Sequence, residues 1–180
     1  MNLPNKITLS RVFMVPVFVF LLLYPKFGSI NKWIVLAIFC IASATDALDG
    51  YIARKRKMVT NFGKFVDPLA DKLLVCSALI CLTHLNQLPC WFVVVVIARE
   101  FVVSGIRLIA MDNKIVIAAS YWGKAKTIFQ MCLIIVVLAN LEGKNFKIIE
   151  LSLLWLTFSL TIISMLDYLW KNRECFNQTK

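Results

Sequence analysis

The chain has 180 residues, of which 60% are hydrophobic, and it carries 20 lysines and arginines against 10 acidic residues. A soluble domain of this length cannot bury so much apolar surface, which excludes an ordinary soluble globular protein. A net charge of +10 also occurs in nucleic-acid-binding proteins, but here the basic residues fall in alternate loops between apolar segments. That pattern is typical of membrane insertion, so we predict a protein of the lipid bilayer with no nucleic-acid partner.

Six apolar segments of about 20 residues follow one another along the chain, each long enough to cross a bilayer as a helix. We therefore predict an all-α fold: an integral membrane bundle of six transmembrane helices, preceded by a short N-terminal amphipathic segment. The bundle forms a single domain over residues 1–180. The predicted spans are 7–24, 33–53, 65–85, 90–110, 122–141 and 148–169.

The amphipathic segment carries Asn5, Thr8 and Arg11 at intervals of three residues. On a helix these three positions share one face. Their residue types suit an amphipathic entry into the membrane, in which long polar side chains reach the interface.

The second and third spans contain four aspartates, Asp46, Asp49, Asp67 and Asp71. On helices, intervals of three and four residues place each pair on one face. Carboxylates at membrane depth are costly and are functional by default. Oxygen ligands without histidine or thiolate suit hard cations, so we predict a site for Mg²⁺ or Mn²⁺. Two such metals would clamp the attacking and leaving oxygens of a phosphoryl transfer.

Small and basic residues accompany these aspartates. Gly50 and Ala53 follow Asp49 and keep its surroundings clear for a bulky ligand. Gly63 opens room between the two helices, and Arg54 supplies a forked cation for a phosphate. These residues predict an anionic ligand beside the metals.

The basic residues are concentrated on one side of the predicted membrane, where they include the run Arg54–Lys57. The opposite side holds only Lys26, Lys32, Lys144 and Lys147. Because positively charged loops stay in the cytoplasm, we predict that both termini and the aspartate site are cytoplasmic. Part of the basic excess would also hold the protein against anionic headgroups.

The pattern D-x-x-D-G-x-x-A-R, eight residues, G-x-x-x-D-x-x-x-D, which runs from Asp46 to Asp71, resembles the motif of the CDP-alcohol phosphatidyltransferases. All eight fixed positions match. The likeness to the bacterial phosphatidylglycerophosphate synthase branch of that family covers roughly the first 130 residues. The segments that carry this likeness are 3–11, 63–74, 98–101, 104–107 and 123–127.

That resemblance implies a six-helix enzyme of the cell inner (cytoplasmic) membrane, often a homodimer. The enzyme would transfer the phosphatidyl group from CDP-diacylglycerol to sn-glycerol 3-phosphate and release CMP. By similarity, Asp46, Asp49 and Asp67 would hold the metals, and Asp71 would be shared between metal binding and general-base catalysis.

The resemblance also assigns roles to the neighbouring residues. It gives Asn5, Thr8 and Arg11 contacts near the headgroup site, beside the amphipathic membrane entry described above. The CDP-lipid would be bound by Asp49, Gly50, Ala53, Arg54 and Gly63.

An acceptor such as glycerol 3-phosphate is a small dianion and needs cations directed at one point. Arg99 lies well inside an apolar run, and Arg107 follows eight residues later, close to the same face. Lys124 and Lys126 open the fifth span on the same side of the membrane. We predict that these four residues bind the acceptor phosphate. The alternatives are an ion pair of Arg99 with its neighbour Glu100, and ordinary positive charge near span ends.

Two other functions are compatible with the motif. The first keeps the chemistry but changes the acceptor to inositol phosphate, serine or phosphatidylglycerol, since the aspartate motif handles only the shared CDP-lipid. The second is a divalent-cation transporter, because such proteins also use intramembrane aspartates. Transporters place their sites near the midplane and often show internal repeats, whereas this chain shows no repeat and its aspartates lie near span ends.

Overall fold

A computed structural model describes the backbone of residues 3–24, 28–56, 61–112 and 120–171. It describes side chains over the narrower ranges 13–24, 28, 30–45, 72–107 and 120–171. Within the described backbone every regular element is helical, so the all-α prediction is confirmed for this part of the chain.

Each predicted span coincides with one α-helix. The helices are α1 (Leu3–Leu23), α2 (Asn31–Arg56), α3 (Asn61–His84), α4 (Cys90–Asp112), α5 (Tyr121–Ala139) and α6 (Lys144–Lys171), and a 3₁₀ turn at Gly28–Ile30 precedes α2.

The N-terminal segment differs from the prediction, because it is continuous with the first helix. Helix α1 begins at Leu3 and runs without interruption through the positions of Asn5, Thr8 and Arg11. Pro4 stands in the first turn, where the missing N–H group has no helical partner to lose. No glycine or proline occurs between positions 5 and 15, so nothing in the sequence separates an interfacial helix from the span.

Asparagines in the left-handed conformation follow the ends of two helices. Asn86 has φ 57° just beyond α3, and Asn140 has φ 42° directly after α5. Asparagine is one of the residues that tolerate this conformation, which ends many helices. After α3, the N–H group of Gln87 donates to the carbonyl of Leu82 at 2.9 Å, which satisfies one of the last carbonyls of the helix.

The chain divides into two compact units, which consist of residues 1–88 with 138–140 and of residues 89–137 with 141–180. In the first unit α1 packs against α2 and α3. The rings of Phe18 and Phe39 are fully buried and lie 5.9 Å apart between centroids. Ala42 of α2 and Ala78 of α3 are also fully buried. Such small side chains let helices approach closely.

In the second unit α4 packs against α6. Val103 and Ile106 of α4 form a small apolar core with Tyr168 of α6. An aromatic group lies elsewhere along the same helix pair, where Trp91 and Phe158 make an edge-to-face contact with ring centroids 5.2 Å apart. Together these contacts fix α4 against α6, which positions the polar residues between them.

Helices α5 and α6 are the two described helices that are long and apolar enough to cross a membrane. In the most apolar stretch of α6 only 28% of the residues are buried. Large apolar side chains such as Ile128, Leu151 and Leu166 are exposed to more than half of their surface. An apolar helix with so much exposed surface suits a lipid environment better than the core of a soluble protein.

Candidate active site

The second unit contains the four cations that the sequence predicts for the acceptor phosphate. Arg99 and Arg107 lie on α4, and Lys124 and Lys126 lie on the first turns of α5. Arg99 is only 6% exposed and Lys126 is fully buried, whereas Arg107 and Lys124 are exposed. A buried cation costs free energy unless it is paired and hydrogen-bonded, so the partners of Arg99 and Lys126 define this site.

The guanidinium group of Arg99 is held at two of its three nitrogens. Its Nε donates to the hydroxyl of Ser164 on α6 at 3.1 Å, and its Nη1 donates to Glu100 Oε1 at 3.2 Å. The third nitrogen, Nη2, makes no hydrogen bond to any described residue. It faces the first turn of α5, because a Cβ atom added at Gly123 would lie 3.2 Å from it. Nη2 of the buried arginine therefore lies close to the backbone of α5 at a residue that has no side chain.

Glu100 pairs with both buried cations through one oxygen. The ammonium group of Lys126 donates to the same Oε1 that accepts from Arg99. The pair of Arg99 with Glu100, which the sequence offers as an alternative, is therefore present, and it is joined by a lysine from another helix. Glu100 is therefore shared by two buried cations that come from two different helices.

Arg107 lies two helical turns beyond Arg99 and rests on Tyr168. Its Nε donates to the tyrosine hydroxyl at 3.3 Å, and its Cζ lies 5.7 Å from the centroid of the ring. The two terminal amino groups of Arg107 make no hydrogen bond within the described part of the chain. The exposed fork of Arg107 is thus steadied by an aromatic ring while its terminal donors stay available to an anion.

A hydrogen-bonded group at the start of α5 connects this helix to the end of α6. The hydroxyl of Ser120 donates to the carboxylate of Asp167, which also pairs with Lys171 at 2.7 Å. The carbonyl of Ser120 accepts from the N–H group of Lys124 at 3.2 Å and so begins the helix. This connection fixes the turn from which Lys124 and Lys126 project.

The aspartate motif lies in helical backbone, as the sequence predicts. Helix α2 includes Asp46, Asp49, Gly50, Ala53 and Arg54, and α3 includes Gly63, Asp67 and Asp71. The side chains of all eight residues lie outside the described residues, as do those of Asn5, Thr8 and Arg11 in α1. Among the side chains that are described, no group of three or more histidines, cysteines or carboxylates could hold a metal ion. The metal site and the CDP-lipid contacts therefore stay predictions.

Helix α6 contributes residues that the sequence analysis does not single out. Ser164 and Tyr168 contact the two arginines and Asp167 contacts Ser120, so this apparently generic span completes the site. The sequence of α6 contains a signal for this role. Residues with a hydroxyl group follow one another at intervals of four, three and four positions. These residues, which we call the hydroxyl stripe, are Thr157, Thr161, Ser164 and Tyr168, and all are buried.

The sequence profile of the CDP-alcohol phosphatidyltransferase family matches residues 1–163. The chain therefore belongs to the CDP-alcohol phosphatidyltransferase family.

Within that family, the chain is similar to several bacterial relatives. It is 43% identical over 186 residues to the CDP-diacylglycerol–glycerol-3-phosphate 3-phosphatidyltransferase of Bacillus subtilis (strain 168), with 96% of each chain covered. It is 36% identical over 173 residues to the protein of the same name from Rickettsia bellii, with 93% of each chain covered. A probable phosphatidylglycerophosphate synthase of Mycobacterium tuberculosis is 41% identical over 168 residues, which are 93% of this chain and 79% of the relative.

Proposed function

We propose that this chain transfers the phosphatidyl group of CDP-diacylglycerol to sn-glycerol 3-phosphate, giving phosphatidylglycerophosphate and CMP. The observation that carries the proposal is the likeness, over 96% of both chains, to a relative named for this reaction. The second unit supports an acceptor that carries a phosphate, since a buried arginine and an exposed arginine on α4 both keep terminal donors available. A phosphate dianion matches such cations, whereas serine, which has no phosphate, does not.

The proposed reaction is an attack by an acceptor hydroxyl on the lipid-side phosphorus of CDP-diacylglycerol. The new phosphorus–oxygen bond forms to glycerol 3-phosphate, the bond to the CMP oxygen breaks, and the hydroxyl proton passes to Asp71. Arg99 and Arg107 hold the acceptor phosphate, so that the attacking hydroxyl is oriented before the reaction begins. Lys124 and Lys126 add positive potential at the same group.

The donor set of the motif fits a hard divalent cation, because four carboxylates within two helices supply only oxygen ligands. Asp46, Asp49, Asp67 and Asp71 would hold Mg²⁺ or Mn²⁺, with two ions expected. When bound, such ions neutralise the pyrophosphate and stabilise the charge on the leaving group. Asp49, Gly50, Ala53, Arg54 and Gly63 would contact the CDP-lipid.

We also propose that all six helices span the inner (cytoplasmic) membrane, with both termini and the active site on the cytoplasmic side. The placement of the basic residues supports this orientation. The lipid substrate has its phosphates at the bilayer surface, which suits catalytic aspartates near the ends of spans. A homodimer is the expected assembly, by similarity to the family.

A panel of acceptors tests the proposed function directly. We expect the purified protein, in detergent with CDP-diacylglycerol and Mg²⁺ or Mn²⁺, to release CMP when glycerol 3-phosphate is added. Mass spectrometry should identify phosphatidylglycerophosphate as the lipid product. Inositol phosphate, serine and phosphatidylglycerol serve as the competing acceptors. CMP release that depends on one of these three, and not on glycerol 3-phosphate, would replace the proposed acceptor.

Arg107 should contribute mainly to binding of the acceptor. A hydrogen bond to a charged group contributes roughly 1.5–3 kcal/mol, so Arg107→Ala should raise the KM for glycerol 3-phosphate by about 10- to 100-fold. The KM for CDP-diacylglycerol should change much less. Arg107→Lys should restore binding only in part, because lysine lacks the forked donor.

Tyr168→Phe is the matched variant for this prediction, since it keeps the ring under Arg107 and removes only the hydroxyl that accepts from Nε. Its effect on the acceptor KM should be smaller than that of Arg107→Ala. An unchanged acceptor KM in Arg107→Ala would contradict a role in acceptor binding. Arg107 would then contribute only to the general positive charge on the proposed cytoplasmic side.

A further inference from the structure

Glu100 is placed to do more than neutralise charge. Its side chain is 16% exposed, and it binds two cations whose side chains are 7% and 0% exposed. Loss of this carboxylate would take a charged partner from two buried cations, which is strongly unfavourable. Charge balance alone, however, would be satisfied by any carboxylate near Arg99 and Lys126.

The geometry of the contacts is more demanding than charge balance. Arg99 Nη1 and Lys126 Nζ both donate to the single oxygen Oε1, so the position of that oxygen sets the position of both cations. On the other edge of the guanidinium, Ser164 accepts from Nε at 3.1 Å. Because a guanidinium group is planar and rigid, two fixed nitrogens determine where the third one lies.

The third nitrogen, Nη2, lies over Gly123. A Cβ atom at that position would come within 3.2 Å of Nη2, which is closer than nearly all Cβ contacts in proteins. Gly123 thus lets the first turn of α5 pack closely against the guanidinium without a steric clash. Nη2 also makes no hydrogen bond to a described residue, although Arg99 as a whole is nine-tenths buried.

We propose that Glu100 is a positioning residue for the acceptor phosphate, a role that rests on the proposed function. Glu100 and Ser164 together hold the guanidinium of Arg99 so that its remaining nitrogen, Nη2, donates to the phosphate of the acceptor. Glu100 also holds Lys126, whose charge then adds to the potential at the phosphate without direct contact. Glu100 itself touches neither substrate.

Glu100→Asp separates positioning from charge balance. The substitution keeps the carboxylate but withdraws its oxygens by roughly one carbon–carbon bond, about 1.5 Å. Positioning predicts that the KM for glycerol 3-phosphate rises about 10-fold, while kcat and the KM for CDP-diacylglycerol stay within about twofold of wild type. Charge balance alone predicts no change in any of the three constants, and that outcome would overturn the proposal.

Glu150→Asp is the matched control, because Glu150 is another partly buried glutamate of an apolar helix and lies outside this group. It should leave the acceptor KM at the wild-type value. Thermal unfolding in detergent is measured for each variant. A fall in unfolding temperature with an unchanged acceptor KM would assign Glu100 to stability only.

A double-variant cycle identifies the residue through which Glu100 acts. Arg99→Lys keeps the charge and removes the forked donor, so Glu100→Asp should add little to its effect on the acceptor KM. Independent, additive effects of the two substitutions would contradict action through Arg99. If wild-type protein releases no CMP with glycerol 3-phosphate, the proposed function fails. If wild type is active and Glu100→Asp resembles it, only the positioning role fails.

Discussion

Asp67→Asn should reduce CMP release by on the order of 10³-fold, because a metal ion contributes several kcal/mol of transition-state stabilisation. The substitution is nearly isosteric, and it replaces a charged ligand of hard cations with a neutral amide. Asp67 lies in the continuous helix α3, so the variant should keep its helical content in detergent. CMP release at saturating glycerol 3-phosphate, followed with the protein at equal concentration, measures the loss.

Two controls connect this loss to the metal site. Glu150→Gln removes a carboxylate from another apolar helix and should leave turnover close to wild type. EDTA should abolish CMP release by the wild-type protein, and added Mg²⁺ or Mn²⁺ should restore it. A turnover above about a tenth of the wild-type value in Asp67→Asn would exclude an essential ligand at this position.

Asp71→Asn should lower turnover by about 10²–10⁴-fold, the usual contribution of a positioned general base. Asp71 follows Asp67 by one helical turn in α3, and the reaction needs a group that takes the proton of the acceptor hydroxyl. The KM for CDP-diacylglycerol should change far less than kcat, since a base acts in the chemical step.

The split between binding and turnover decides the role of Asp71. Activity is measured over a range of CDP-diacylglycerol and of Mg²⁺ concentrations, with Arg107→Ala as the variant expected to alter acceptor binding instead. If Asp71→Asn mainly weakens binding of the metal or the CDP-lipid, Asp71 is a ligand and another group takes the proton.

The helices could be predicted from the sequence because each contains an apolar run that is bounded by polar residues. The start of α1 was harder to predict, since a polar face at Asn5, Thr8 and Arg11 is compatible with either a separate interfacial helix or an extended span. The two possibilities are distinguished only by the absence of a glycine or proline between positions 5 and 15. The polarity of the segment does not distinguish them.

The site could be predicted only in part, because some of its contacts join residues that are far apart in the sequence. The cost of burying Arg99, and its pairing with the adjacent Glu100, follow from the local sequence. Lys126 is 26 residues from Glu100, and Ser164 is 65 residues from Arg99. Contacts of that kind depend on which faces of α4, α5 and α6 meet, and hydrophobic periodicity within one helix does not determine which neighbour it meets.

The hydroxyl stripe of α6 bears on the order in which the polypeptide is assembled during synthesis. Thr161 and Ser164 donate to carbonyls of their own helix at 2.7 and 3.1 Å, so these hydroxyls enter lipid with hydrogen bonds already made. Arg99 pairs with the adjacent Glu100 but makes no hydrogen bond to a carbonyl of its own helix, and insertion of a central arginine costs about 2.5–3.5 kcal/mol.

The ribosome completes α4 well before α6, so in the proposed membrane topology α4 would insert before the serine that accepts from Arg99 has been made. Until then Glu100 is its only described partner within the same helix. If the helices span the membrane as proposed, the second unit reaches its final internal structure only after α6 has inserted, because only then does Arg99 contact Ser164.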